Sequence, residues 1–258
     1  MQGAAGVTTL VLVETVVGAL LFLLATPLWS EVKRGFFALV LITSAVLALA
    51  ALGSAGAAVV PGDADGARAL IAVRVLAAGT TAAAIAFVVR RPAIGRALGF
   101  VALPIGVVAL LALARTGQAS FAVAALQLLA GAAFLGGVLD GLLLGHWYLT
   151  DRGLTRRPIL RATTLLGVGV VLEAIAIAVG GFGPTASSQA FNPLLTSAGL
   201  ASWIALGMVG TTALVAVFIR ITLRGERASA VQAATGFYYL AVITAATAEF
   251  AAKVRFLS

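Results

Sequence analysis

Residues 119–148, ASFAVAALQLLAGAAFLGGVLDGLLLGHWY, decide the fold of this chain. The run holds one carboxylate, Asp140, and one imidazole, His146, with no Lys, Arg or Pro. Thirty residues rising about 1.5 Å each reach roughly 45 Å, enough to cross a hydrocarbon core about 30 Å thick. Apolar residues go all the way round the helix, with neither the two-residue alternation of a half-buried strand nor the polar face of a surface helix. The surroundings such a helix suits are lipid and other helices.

The rest of the chain repeats the pattern. Of 258 residues, 62% are hydrophobic and 10% charged, with a mean hydropathy of +1.12. A soluble domain is roughly 45–50% apolar and about 25% charged. That surplus excludes a soluble enzyme, a disordered tail and a nucleic-acid-binding domain. Apolar runs fall at 5–28, 35–59, 67–89, 93–114, 119–148, 159–180, 197–219 and 229–251. The reading is an all-α, polytopic membrane protein. One transmembrane domain of about eight helices covers residues 1–258, with no soluble domain.

The breaks between runs carry their own chemistry. Pro61-Gly62-Asp63-Ala64-Asp65-Gly66 is a turn signal, and Pro92 and Pro158 each stand where a helix begins. One set of alternate loops holds Lys33, Arg34, Arg90, Arg91, Arg96, Arg152, Arg156, Arg157, Arg161, Arg220, Arg224 and Arg227. The other set, with the C-terminus, holds Arg68, Arg115, Lys253 and Arg255. The positive-inside rule then puts the first set in the cytoplasm and both termini outside, on the periplasmic face of a bacterial-type inner membrane. Trp29, Trp147 and Tyr148 fall at inner-interface ends, and Pro104 interrupts the fourth run. Ala133, Gly137, Gly141 and Gly145 form a small-residue edge for close helix packing. The segments 90–97 and 156–162 look alike but are offset by two spans, which reads as shared helix-start chemistry and not as a repeat of four-helix halves.

Ionisable residues at bilayer depth cost roughly 2.5–3.5 kcal/mol on insertion scales, so they carry the functional information. Glu14, Arg74, Asp140, Glu173 and Glu249 lie within the runs, with His146 near an inner end. By depth they form a ladder from inside to outside: His146, Asp140, Glu173, Glu14, then Arg74 and Glu249. Asp140, Glu173 and His146 are the expected proton route. Glu14, Arg74, Glu249 and Tyr238 are the expected head-group residues, because Tyr238, Ala241, Ala245 and Glu249 share one helix face. That face reads either as a groove for a flat ring or lipid tail, or as a close helix contact. Arg74 is the cation available to pair with Glu249 or Glu14, while Lys253 is placed at the outer end.

Quinone chemistry needs an apolar slot and groups that exchange protons. The expectation is therefore a quinone- or quinol-binding membrane subunit of a respiratory or other redox complex, with redox centres on partner chains. Eight spans without a soluble domain resemble the quinol-interacting membrane anchors of the polysulfide-reductase type, a likeness of architecture that designates no residue. No cysteine and a single His mean that a metal is expected on a neighbouring subunit and not in this chain. A proton-coupled transporter or channel, and a non-catalytic scaffold subunit, are the alternatives.

Overall fold

A computed structural model describes residues 1–25, 27–151, 153–184, 191–196, 199–225 and 229–258. Eight long helices account for most of them: α1 Gly3–Ala25, α2 Arg34–Ala58, α3 Ala64–Val88, α4 Pro92–Ala114, α5 Phe121–Thr150, α6 Arg157–Gly180, α7 Leu200–Arg224 and α8 Ala230–Leu257. A 3₁₀ turn at Pro27–Ser30 and a one-turn helix at Pro193–Thr196 are the other helical pieces, and there is no strand among the described residues. Parts of the α6–α7 and α7–α8 connections, with Arg152 and Arg227, lie outside the described residues.

Seven of these helices are long and apolar enough to cross a membrane. Their outward faces agree, since Val46, Ile71, Ile85, Val108, Val168 and Leu214 are large apolar side chains left exposed. A multi-pass membrane protein follows. The eighth, α8, is diluted by Tyr238, Tyr239, Glu249, Lys253 and Arg255. It nevertheless turns Tyr238, Glu249 and Lys253 inward and shows Leu240, Ile243 and Phe250 outward. Helix boundaries follow the punctuation: Pro92 and Pro158 stand in the first turns of α4 and α6, and Asp63 caps α3 by accepting from the Gly66 N–H. Pro104 lies within α4, which continues through it.

Helices α1 and α5 lie at the centre, with 78% and 61% of their most apolar stretches buried against 33–44% for the other five. Around α1 the contacts run α1–α2, α2–α3, α3–α4 and back from α4 to α1. Around α5 they run α5–α6, α6–α7, α7–α8 and back from α8 to α5. The chain is thus two four-helix rings of the same order, joined chiefly where α1 lies along α5, with α1–α8 and α4–α5 as reciprocal side contacts. A Cβ on Gly18 would overlap the Ala132 carbonyl and lie 2.8 Å from the Gly136 Cα, and one on Gly136 would overlap the Gly18 backbone. Glycine at both positions is what lets the two central backbones touch. Segments 90–97 and 156–162 start α4 and α6, which hold different places in the two rings, so their likeness does not align the halves.

Both termini lie at one end of the bundle. A Cβ on Gly6 would lie 2.8 Å from the Leu257 side chain, and the Gln118 N–H donates to the Phe256 carbonyl. The opposite end carries most of the arginines, with Lys33–Asp151 and Arg161–Glu31 ion pairs at 3.0 and 2.7 Å.

Candidate functional site

The small-residue edge of α5 positions the site. Gly141 faces the Tyr238 ring, which a Cβ there would overlap, and Gly145 faces Thr235 one turn further along α8. On the other flank Gly137 packs on the Leu166 backbone of α6. The face of α8 carrying Tyr238, Ala241, Ala245 and Glu249 is fully buried, with α5 lying against it. The close helix contact was the correct alternative, because glycines on α5 let its backbone fill the space between the larger α8 side chains.

At the height of Gly131 this packing encloses a charged cluster. The Lys253 ammonium lies 2.7 Å from Glu14 Oε1 and 2.9 Å from Glu249 Oε2, and it donates to the Gln127 carbonyl at 3.3 Å. Glu173 of α6 is buried near these groups, and its Oε2 has no hydrogen-bond partner among the described residues. Exposure is 0% for Glu14 and Glu249 and 1% for Glu173 and Lys253. A Cβ at Gly131 would lie 2.6 Å from Glu14 Oε1 and 3.0 Å from Glu249 Oε2, so that glycine makes the room. The groups come from α1, α6 and α8, with α5 as the wall.

Charge counting gives this cluster its chemistry. Three carboxylates beside one ammonium would leave two uncompensated negative charges away from water, where an isolated charge costs several kcal/mol. Placing protons on the carboxyl groups is the way such a surplus is relieved in a buried site. Among the described residues no cluster of His, Cys, Asp and Glu is arranged to hold a metal ion.

The structure thus brings together Glu14, Glu173 and Glu249, which sequence depth assigned to two different roles. Arg74 is not the cation among them, for its residue is exposed on α3. Lys253 takes that place, and the reason is helix length. α8 continues to Leu257, so Lys253 is one turn inside and its ammonium turns back toward the core. The i,i+4 spacing of Glu249 and Lys253 was the available signal. For Gln127, a lone amide in an apolar run, spacing alone gives none.

Tyr238 sits at a separate level, its hydroxyl 3.0 Å from that of Thr163 on α6. Asp140 is 5% exposed, and its Oδ1 has no hydrogen-bond partner among the described residues. It lines a narrow cleft at the arginine end, about 310 Å3 counted with its open mouth, whose walls include Phe22, Leu28, Phe36, Leu144 and Leu165, with Arg161 also lining it. His146, half-buried, places Nδ1 2.9 Å from the Leu142 carbonyl and Nε2 2.6 Å from the Tyr239 hydroxyl. Because a carbonyl only accepts, Nδ1 is the donor to Leu142.

No protein-family model, curated protein or solved structure matches this chain.

Proposed function

We propose that this chain is a proton-exchanging integral membrane protein, and that reversible protonation of the Glu14–Glu173–Glu249–Lys253 cluster is the step it contributes. In this reading α8 spans as well, making eight crossings of a bacterial-type inner membrane. The arginine end faces the cytoplasm and both termini face outside, as the positive-inside rule orders them. The observation that carries the proposal is that a single buried lysine, paired to Glu14 and Glu249, shares its buried surroundings with a third carboxyl group, Glu173. A scaffold needs helix pairing, which one Glu–Lys pair supplies. It does not need two further acids.

The test is infrared spectroscopy of the purified, lipid-reconstituted protein. A protonated-carboxyl C=O band that shifts in D2O and is lost or reduced in Glu173→Gln supports the reading. A folded protein with no such band at any pH overturns it.

A second reading, favoured by the apolar walls around the unpartnered Asp140 oxygen, couples this proton site to a quinol and to redox partner subunits. In that form the quinol head approaches the Asp140 cleft at the arginine end and not the face of α8. Quinol oxidation releases protons, and Asp140 would receive one. Loss of quinol-dependent turnover in Asp140→Asn, in the complex purified with its partner chains, is the expected result. Unchanged turnover removes the quinol reading and leaves the proton site standing.

A further inference from the structure

The cluster stands much closer to one end of the bundle than to the other. At the terminus end a vestibule of about 550 Å3, counted with its open mouth, is lined by Gln118, Gln127, Gly180, Arg255 and Phe256. One of these residues, Gln127, also reaches the cluster, since its carbonyl accepts from the Lys253 ammonium. Gln127 is only four residues from Gly131, roughly 6 Å along α5. Toward the arginine end, nine residues separate Gly131 from Asp140, roughly 13 Å. That interval is packed with Phe134, Val138, Leu166 and Tyr238, all buried.

The Gln127 amide is itself poorly satisfied. Its Oε1 is buried without a hydrogen-bond partner, and its Nε2 occupies the space a Cβ on Gly180 would take. Across the vestibule the Arg255 guanidinium donates to the Gly180 carbonyl at 3.0 and 3.2 Å and to the Gly183 carbonyl. That bracing fixes the wall against which the amide rests. A buried amide oxygen with no donor costs about 1–3 kcal/mol, so rotation of this side chain toward vestibule water gives up little.

We infer that the cluster exchanges protons with the terminus end alone, and that the Gln127 side chain is the gate. This rests on the proposed proton site and adds its sidedness. With the amide turned aside, a hydronium ion in the vestibule gives its proton to the Glu249 carboxylate and departs as water. The charged groups facing that path are Glu14 from α1, Glu173 from α6, and Glu249, Lys253 and Arg255 from α8; the described part of α5 near it carries none.

The chain has no cysteine, so Gln127→Cys installs a single thiol. A membrane-impermeant maleimide applied to intact spheroplasts is expected to label Gln127→Cys. Leu165→Cys, lining the cleft at the opposite end, is expected to label only after the membrane is broken. In the infrared experiment Gln127→Leu is expected to slow the D2O shift of the carboxyl band at least tenfold, and Gln127→Ala to speed it. Should Gln127→Leu not fold, Gly180→Ala, which crowds the amide, serves in its place. An intact carboxyl band whose exchange rate none of these variants changes overturns the gate and leaves the proton site standing. Labelling of Gln127→Cys only in broken membranes overturns the sidedness. Absence of the band in the unsubstituted protein defeats the underlying proton-site reading instead.

Discussion

Within the first ring, between α1, α2, α3 and α4, the buried side chains are Leu41, Ala48, Leu76, Ala102 and Leu110, with Thr80 bonded back to its own helix. The corresponding space of the second ring, between α5, α6, α7 and α8, holds Glu173, Glu249, Lys253 and Tyr238. Helix order and the central glycine are the same in both. What differs is whether the interior is apolar or titratable. Glu14 sharpens the contrast: it belongs to a first-ring helix, yet its carboxylate reaches across to Lys253 of the second. Arg74, the charge midway along α3, is turned outward. The first ring thus packs without buried charge, whereas the second encloses the Glu173, Glu249 and Lys253 side chains.

The comparison breaks most severely at the contact the rings share. Gly18→Val would drive a branched side chain into the Ala132 carbonyl. The expected cost is at or beyond the ~3 kcal/mol upper end for overpacking, read as loss of the monodisperse species in size-exclusion chromatography. Next, Lys253→Met leaves Glu14 and Glu249 buried without their cation. Breaking a buried ion pair from one side costs about 3–5 kcal/mol, so the detergent melting midpoint is expected to fall steeply. Adding Glu14→Gln should restore part of it, and a double variant as unstable as the single would show that packing, and not charge, holds the second ring. Tyr238→Phe removes one hydrogen bond to Thr163, whose hydroxyl keeps its bond to the Ile159 carbonyl. About 1 kcal/mol is expected in the same melt.

The smallest effect lies in the first ring. The Gly66 N–H, donating to Asp63, holds that carboxyl below its usual range, with a partly buried N-terminal ammonium assisting. A depressed folded value means that the stabilisation is fully present above the unfolded value of about 3.9 and is lost as pH falls through the lower, folded one. Asp63→Ala is expected to cost about 0.5–1 kcal/mol near neutral pH, a difference that disappears in strong acid. Persistence of the difference there would assign it to packing.

Much of this was readable from the residues. Punctuation by Pro92, Pro158 and the Gly62 turn placed helix starts to within a few residues, because local chemistry sets them. The presence of acids at bilayer depth was equally plain. What stayed hidden depends on how helices cross. Apolar helices such as α1 and α5 show no preferred face, so nothing local said that Gly18 meets Gly136 or that Glu173 meets Glu249. Lys253 was misplaced because hydropathy ends a span where charge begins, whereas α8 carries its charge inward and continues. The shared face of Tyr238, Ala241, Ala245 and Glu249 was legible on α8 alone, but that α5 packs on it was not.

The glycine contact between α1 and α5 bears on ancestry. Two rings of the same order, running the same way through the membrane and meeting through matched glycines, have the layout of a symmetric homodimer whose two copies became joined by the 115–120 connection. In such a pair every acid would have appeared twice. Severing the chain within 115–120 and expressing the two pieces together would leave their reassembly to rely chiefly on the α1–α5 surface.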